Sequence, residues 1–251
     1  MANVQAVQKL AKQAMETFRS VAGDVAAFRD KLASLQKAMN RIRASDLGMD
    51  DAERLGRAQS ATSPTAPVGY VFVAENSLVS MGVFVVERGA ELPLHDHRSM
   101  HGLMKVLYGT IRLRSYDLLT EEQTAKLALP DLSQYSACPD WQQSVRRTLL
   151  PARPLEEVEL TADSEPCLLG PLQANLHSVH SVGGPAAFLD ILSPPYNPDI
   201  GRDCLYYKET HFAEANESVG TVRWLQRIPQ PPTFWCNQEK YQGPVVNLDS
   251  L

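Results

Sequence analysis

Residues 89–110, GAELPLHDHRSMHGLMKVLYGT, contain three of the chain's six histidines, at positions 95, 97 and 101. The β-branched and apolar residues on both sides predict that the histidines lie where one strand passes to the next. His95 and His97 are two positions apart, so on a strand both imidazoles leave the same face. Two neutral imidazoles on an inward face suit a first-row metal ion. The alternative is a surface pair beside Asp96 or Arg98, but a second histidine pair downstream favours metal binding.

The chain from residue 68 onward has the sequence pattern of a β-protein. Short β-branched runs such as GYVFVAE and VSMGVFVVE are separated by turn residues about every eight to twelve positions, which predicts an antiparallel sandwich or barrel. Gly109 is predicted to lie in a turn downstream of the histidine pair. Residues 120–140 interrupt this pattern of short strands and turns and are predicted to be an insertion, part helix and part loop. The tail, 230–251, begins too rich in proline and aromatic residues for a regular element, and we expect it to wrap over the barrel.

The first 58 residues are predicted to be a helical segment. Val7, Leu10, Ala14 and Phe18 repeat at helical spacing, as on a helix that buries one face. A second helical run follows Asp24, a candidate N-cap. Serine, threonine and proline then predict a linker at 59–67, before the β-domain at 68–251.

Composition excludes several classes of protein. The 251 residues are 44% hydrophobic and 21% charged, an ordinary globular balance, with a net charge of −5. This charge provides no electrostatic reason to expect nucleic acid or an anionic membrane as a partner. No secretory signal is visible at the N-terminus, so we expect a cytoplasmic protein, with nucleus or mitochondrion as alternatives. The four cysteines form no CxxC pair and are predicted to be reduced thiols.

The spacing of the first histidine pair resembles a known motif. Gly89, five residues, His95, one residue and His97 is similar to the first motif of the cupin superfamily. That motif usually places a glutamate four positions after the second histidine, where this chain has His101. A second cupin motif supplies one more histidine, and LQANLHSVHSV (172–182) offers two.

Longer sequence segments restrict the resemblance to one branch of this superfamily. LPLHDH, NLHSV, GPAAFLDILSPPY and GRDCLYYKE together are similar to the thiol dioxygenases that include 2-aminoethanethiol (cysteamine) dioxygenase and the plant cysteine oxidases. The resemblance implies a mainly β fold, a cupin double-stranded β-helix or jelly-roll barrel with the N-terminal helices packed outside. It also implies one Fe(II) per chain, held by His95, His97 and His177, the last being the histidine that follows NL. His180 lies three positions further and should point to the opposite face.

The same resemblance implies the chemistry. Both atoms of O2 would be added to the sulfur of an aminothiol, converting cysteamine to hypotaurine or an N-terminal cysteine to its sulfinic acid. Three neutral ligands leave Fe(II) its full charge, which favours binding of the substrate as a thiolate. We expect no organic cofactor and a monomer. Which of the two aminothiols is the substrate stays open.

Three further residues are candidates for catalytic roles. Asp190, in FLDIL, is either hydrogen-bonded within the structure, the interpretation that we slightly favour, or placed near the site. Cys204 and Tyr206 lie two apart, which puts them on one strand face. They are expected near the iron, either as a thioether pair or, as we prefer, as a buried thiol and a pocket wall. His101 is expected to have a packing or supporting role.

Some features concern selectivity and alternatives. Arg98 and Ser99 stand where animal members tend to have a proline–glycine pair, a change that could alter the loop at the mouth of the site. The strands that carry the motifs contain few arginines expected to face inward, and Arg112 and Arg114 are interpreted as an outward, solvated stripe. We therefore expect free cysteine, whose carboxylate would need a cationic partner, to be a poor substrate. The alternatives to a thiol dioxygenase are another metal-dependent cupin enzyme and a non-catalytic, metal-stabilised cupin binding module.

Overall fold

A computed structural model describes residues 4–20, 24–49, 66–134, 136–210 and 221–251. The helices in these ranges are α1 (Val4–Phe18), α2 (Val25–Met39), α3 (Glu121–Ala125) and α4 (Pro139–Arg146). The strands are β1 (Val68–Glu75), β2 (Ser80–Val86), β3 (Glu91–Asp96), β4 (His101–Leu118), β5 (Leu149–Pro154), β6 (Val158–Thr161), β7 (Cys167–Leu169), β8 (Leu176–Ser193), β9 (Tyr206–Glu209), β10 (Arg223–Ile228) and β11 (Cys236–Glu239).

Two long strands, β4 and β8, organise the barrel. They pair with each other antiparallel from His101↔Ser193 to Tyr116↔Leu176. The other edge of β8 is shared, because its first half pairs with β3 and its second half with β2. Strand pairing from β4 through β8, β3, β9, β10 and β5 returns to β4, so the strands close into a ring. The predicted mainly β, double-stranded β-helix fold is confirmed.

The prediction of a turn at Gly109 is wrong. Gly109 lies inside β4, where the pairing with β8 shifts register on both sides of Tyr108. Its φ of +73° lies in the left-handed region, and a Cβ there would be 2.5 Å from the Pro185 carbonyl oxygen. A bulge of this kind bends a strand without ending it, so β4 continues beyond Gly109 along β8.

The N-terminal helices pack on the outer face of the barrel. Asp24 caps α2 as predicted, accepting a hydrogen bond from the Ala26 N–H. The apolar face of α1 is buried from Val7 to Phe18 and belongs to the same core as the barrel residues Met81 and Leu189. No helix among the described residues is long and apolar enough to span a bilayer.

Two interruptions of the β-pattern have structure of their own. The insertion at 120–140 is part helix and part loop, since it holds α3 and the start of α4. The expectation that the tail lacks a regular element is wrong, because β11 pairs parallel with β1 from Val68↔Cys236 to Val71↔Glu239. The free backbone edge of β1 supplies those hydrogen bonds whatever the composition of the tail. Positions 59–65 of the predicted linker lie outside the described residues.

Candidate metal centre

Three histidines meet inside the barrel. His95 is on β3, His97 directly follows that strand, and His177 is the cross-strand partner of His95 on β8. All three are buried, and their candidate ligand atoms lie within 4.8 Å of one another. His97 Nε2 and His177 Nε2 are 3.1 Å apart. Two nitrogens that bind one metal at about 2.1 Å and at right angles are separated by about 3 Å, so this spacing suits a shared ion.

Hydrogen bonds orient two of the imidazoles towards a common point. His95 Nδ1 lies 2.8 Å from the Pro93 carbonyl oxygen, and His97 Nδ1 lies 2.9 Å from the Tyr196 hydroxyl. That hydroxyl donates to the Asp96 carbonyl oxygen at 2.7 Å, so it accepts from the His97 Nδ1–H. In both rings Nε2 is therefore the nitrogen that keeps a lone pair for a metal ion.

The backbone around His97 is held by one amide side chain. Asn175 Oδ1 accepts from the His97 N–H at 3.3 Å, and Asn175 Nδ2 donates to the His97 carbonyl oxygen at 2.8 Å. Asn175 is fully buried and lies two residues before His177. One side chain thus connects the end of β3 to the start of β8, the two places from which the imidazoles project.

Burial keeps the triad neutral. Desolvation lowers the pKa of His95, and it lowers the pKa of His97 and His177 well below the ordinary value, with nearby histidines adding to the effect on these two. Neutral imidazole is the form that binds metals. Asp96, between the two ligands of β3, turns its carboxylate away to accept from the Leu205 N–H and the Tyr207 hydroxyl. Among the described residues no carboxylate joins the cluster, so the donor set is three neutral nitrogens and fits a first-row metal ion.

A small cavity lies over the triad. Its volume is about 160 Å³, below the range typical of drug-sized ligands, and most of its wall is apolar. No arginine or lysine of the described chain lines it. The lining residues besides the triad are Phe84, Leu92, Phe188, Asp190, Leu192, Tyr196, Cys204, Tyr206, Phe234 and Cys236.

Asp190 is the one carboxylate in this wall. The residue is 7% exposed, and among the described residues its Oδ1 has no hydrogen-bond partner. Burial raises the pKa of the carboxyl to about 7. Sequence alone slightly favoured a structural role for Asp190, whereas the structure places the residue in the cavity wall with one oxygen that has no hydrogen-bond partner among the described residues. A buried, half-ionised carboxyl of this kind is suited to bind a cationic group.

Cys204 and Tyr206 both lie in the cavity wall. Tyr206 begins β9 and is a cross-strand partner of His95, while Cys204 precedes the strand. Burial, followed by the neighbouring Cys204, raises the pKa of the Tyr206 hydroxyl, which therefore stays protonated at neutral pH. Burial also raises the pKa of the Cys204 thiol, to about 11.

The remaining histidines of the two clusters lie outside the triad. His101 faces the N-terminal helices, with its ring 5.1 Å from that of Phe28 and 6.5 Å from that of Phe18. This is the packing role expected for it. His180, opposite Glu91 in the pairing of β8 with β3, is not part of the metal cluster.

The loop after His97 does not reach the cavity. Arg98 and Ser99 are exposed, and neither is among the residues that line it. Ser99 has a φ of +57°, in the left-handed region that residues other than glycine seldom adopt. Neither residue lines the cavity, so an effect of this loop on the mouth of the site stays a prediction.

Sequence reasoning missed four residues that shape the site: Asn175, Tyr196, Phe234 and Cys236. The first two stood in the strings NLHSV and GPAAFLDILSPPY, so their positions could have been noticed. The last two belong to the tail, and no local pattern there indicates contact with the cavity.

The chain has well-characterised relatives. The PCO_ADO family matches residues 38–246. The chain is 38% identical over 250 residues to 2-aminoethanethiol dioxygenase of Mus musculus, and the match covers 96% of each chain. It is 37% identical over 263 residues to 2-aminoethanethiol dioxygenase of Homo sapiens, again over 96% of each. Plant cysteine oxidase 2 of Arabidopsis thaliana is 23% identical over 249 residues, which are 96% of this chain and 83% of the relative.

Solved structures with a similar arrangement are more distant. KdgF from Halomonas is 12% identical with a TM-score of 0.33, covering 57% of this chain and 93% of that one. An RmlC-like cupin from Shewanella frigidimarina is 13% identical with a TM-score of 0.34, covering 57% and 91%. The description of the fold therefore rests on the ring of strands itself.

Proposed function

This chain belongs to the PCO_ADO family, and we propose that it uses iron(II) and O2 to oxidise the sulfur of an aminothiol to a sulfinic acid. The chain is 38% and 37% identical to the two mammalian relatives over nearly its full length. Its class of enzyme is therefore a thiol dioxygenase of the 2-aminoethanethiol dioxygenase type. The choice of metal and of substrate is argued from the site.

The observation that carries the proposal is the neutral three-histidine donor set at the base of a small cavity. His95, His97 and His177 would hold the ion from one side and leave the cavity side open for ligands. A bound ferrous ion would accept the substrate as a thiolate together with O2 and so supply the transfer of both oxygen atoms to sulfur. Because no carboxylate among the described residues joins the three histidines, the charge of the ion is not offset and the negative thiolate is favoured over neutral ligands.

Asp190 is proposed to bind the amine of the substrate. Asp190 lines the same cavity as the triad and has one unpartnered oxygen, so an aminothiol could present sulfur to the metal and ammonium to the carboxylate. An ammonium placed beside a buried carboxylate favours the ionised form of that carboxylate. The Tyr206 hydroxyl, which stays protonated, is a donor on the wall beside His95.

The cavity disfavours free cysteine. An α-carboxylate buried without a cationic partner costs several kcal/mol. The described residues offer no arginine or lysine in the wall, and Arg112 and Arg114 point outward to pair with Glu157 and Glu159 on the surface. Cysteamine has no carboxylate, and an N-terminal cysteine has it in a peptide bond. We therefore propose these two aminothiols, and not free cysteine, as the substrate class.

One competition experiment tests the proposal. The protein is loaded with Fe(II) and given equal concentrations of cysteamine, a cysteine-initiated peptide and free cysteine, and each sulfinate is quantified by mass spectrometry. We expect consumption of O2, sulfinate from cysteamine or the peptide, and little from cysteine. No O2 consumption with any thiol would contradict the dioxygenase reaction, and equal oxidation of free cysteine would contradict the substrate class.

A further inference from the structure

A short C-terminal segment, residues 231–239, forms one wall of the cavity; we call it the tail wall. Phe234 is 8% exposed, and its ring lies 5.9 Å from that of Tyr206. It belongs to the apolar cluster inside the barrel that also holds Leu92 and Phe188. Two residues later Cys236 also lines the cavity, and it is the one exposed residue among the lining residues that the structure describes. The tail wall therefore runs from the interior of the cavity to its rim.

The tail wall is attached to the barrel differently from the other walls. Strands β3 and β8, which present the triad, have paired neighbours on both sides, whereas β11 lies at the end of the strand order and pairs with β1 alone among the described strands. Phe234 is held by local bonds, in which its N–H donates to the Pro231 carbonyl oxygen at 3.0 Å and its carbonyl accepts from Gln230 Nε2 at 2.9 Å. The backbone at Phe234 is therefore held by residues of the tail, whereas its ring packs in the apolar cluster of the barrel.

Resting on the proposed function, we infer that Phe234 determines which aminothiol the site accepts, by limiting the space beyond the amine-bearing carbon of the substrate. Cysteamine ends at that carbon. An N-terminal cysteine continues from it into a peptide chain, which must leave the cavity towards solvent. The ring of Phe234 packs against that of Tyr206, beside the triad, and Cys236 follows two residues later at the exposed rim of the same cavity. The Phe234 ring contacts a small aminothiol favourably and obstructs the chain of a peptide.

The test compares two substrates in three proteins, all loaded with Fe(II). We measure kcat/KM for cysteamine and for a cysteine-initiated peptide in the parent, in Phe234→Ala and in Trp235→Ala. Trp235 is the matched control, since it is the adjacent aromatic residue but is exposed and does not line the cavity. We expect the ratio of peptide to cysteamine to rise roughly tenfold in Phe234→Ala, the size of effect that small changes in an apolar pocket produce, and to stay unchanged in Trp235→Ala.

An unchanged ratio in an active Phe234→Ala protein would overturn the inference, as would the same change in Trp235→Ala. If the parent oxidises neither thiol, the proposed function fails instead, so the two failures are distinguishable. Because Phe234 is buried, Phe234→Leu is measured alongside as a variant that keeps an apolar side chain, and a smaller rise of the ratio is expected.

A second measurement leaves the core unchanged. A bulky maleimide attached to the exposed Cys236 adds volume at the rim, and excess reagent is removed before the assay. We expect oxidation of the peptide to fall by a larger factor than oxidation of cysteamine. The Cys236→Ser protein, compared before and after the same treatment, controls for labelling of the other cysteines. Equal loss of both activities in the labelled parent would contradict a size limit at this wall.

Discussion

His95 and His177 are direct cross-strand partners on β3 and β8, with ring centroids 4.9 Å apart and ring planes at 83°. The two imidazoles are thus positioned by backbone hydrogen bonds of the barrel and not by a loop. Such a site is held in place before any metal binds, because the ligands sit on rigid elements whose register is specified by the buried face of the sheet.

Replacing one ligand should remove the metal. We expect His177→Ala to lower iron content and O2 consumption at least about a hundredfold, since loss even of a supporting residue costs ten- to a hundredfold in affinity. His180→Ala is the matched control, because it removes an imidazole from the same strand three positions away and outside the cluster. Metal analysis per chain is the measurement, and full iron in His177→Ala would refute the assignment.

The hydroxyl of Tyr196 should matter for metal affinity although it binds no metal. Tyr196→Phe removes the acceptor of the His97 Nδ1–H, so we expect iron affinity to fall by about ten- to a hundredfold. Tyr241→Phe is the control, because within the described chain that buried hydroxyl has no hydrogen-bond partner. Titration with Fe(II) under anaerobic conditions measures both. Equal affinities in the two variants would mean that the tyrosine does not orient His97.

Asp190 should impose a pH dependence on the use of aminothiols. Burial raises the pKa of its carboxyl to about 7, so the group is protonated below pH 7 and gains its negative charge as the pH rises. If the carboxylate binds the ammonium, kcat/KM for cysteamine rises through pH 7 in the parent relative to Asp190→Asn. At pH 8 the variant should be about ten- to a hundredfold less efficient, the value of a charge-assisted hydrogen bond.

The control for this prediction is a thiol without an amine, such as 2-mercaptoethanol. Its oxidation should differ little between the parent and Asp190→Asn, and the ionisation of the thiol itself affects both proteins alike. If kcat/KM falls equally for both substrates in the variant, Asp190 supports the structure of the site and does not bind the amine.

A side chain at position 82 should lower the stability of the fold. A Cβ at this position would lie 2.5 Å from the hydroxyl oxygen of Tyr70, whose ring crosses over the glycine. We expect Gly82→Ala to lower the free energy of unfolding by about 1–3 kcal/mol through overpacking. Gly184→Ala, where no heavy atom lies within 4 Å of the added Cβ, should change stability much less. Unfolding of the two variants in denaturant measures both free energies. An equal loss of stability in the two would contradict the clash.

The packing of the N-terminal helices should weaken in mild acid. Burial lowers the pKa of His101, which lies against Phe28, below its ordinary value of 6.5. Between the folded and the unfolded pKa the unfolded chain binds more protons, so this residue's stabilising contribution is complete above pH 6.5 and falls as the pH drops. Melting temperatures at pH 7.5 and 5.5 should differ more for the parent than for His101→Gln. An equal difference would mean that His101 is not desolvated.

The sequence supplied much of the fold and part of the site. Short β-branched runs separated by turn residues predicted an antiparallel sandwich or barrel, and the resemblance to cupins narrowed this to the barrel. The spacing of two between His95 and His97 predicted a shared face, because side chains alternate with a period of two on any strand. Gly109 shows where local reasoning stops. A glycine between two apolar runs is compatible with a turn or with a bulge, and the long-range pairing of β4 with β8 decides between them.

The sequence by itself therefore determined the class of fold, the face on which the histidines lie and the likeness to thiol dioxygenases. Only the tertiary structure decided that Asp190, which has an unpartnered oxygen, lies in the cavity wall and that Phe234 and Cys236 of the tail complete that wall. The physical reason is separation along the chain. Periodicity and spacing act within one strand, whereas the cavity is assembled from β3, β8, β9 and β11, whose relative placement depends on register and on the closure of the barrel.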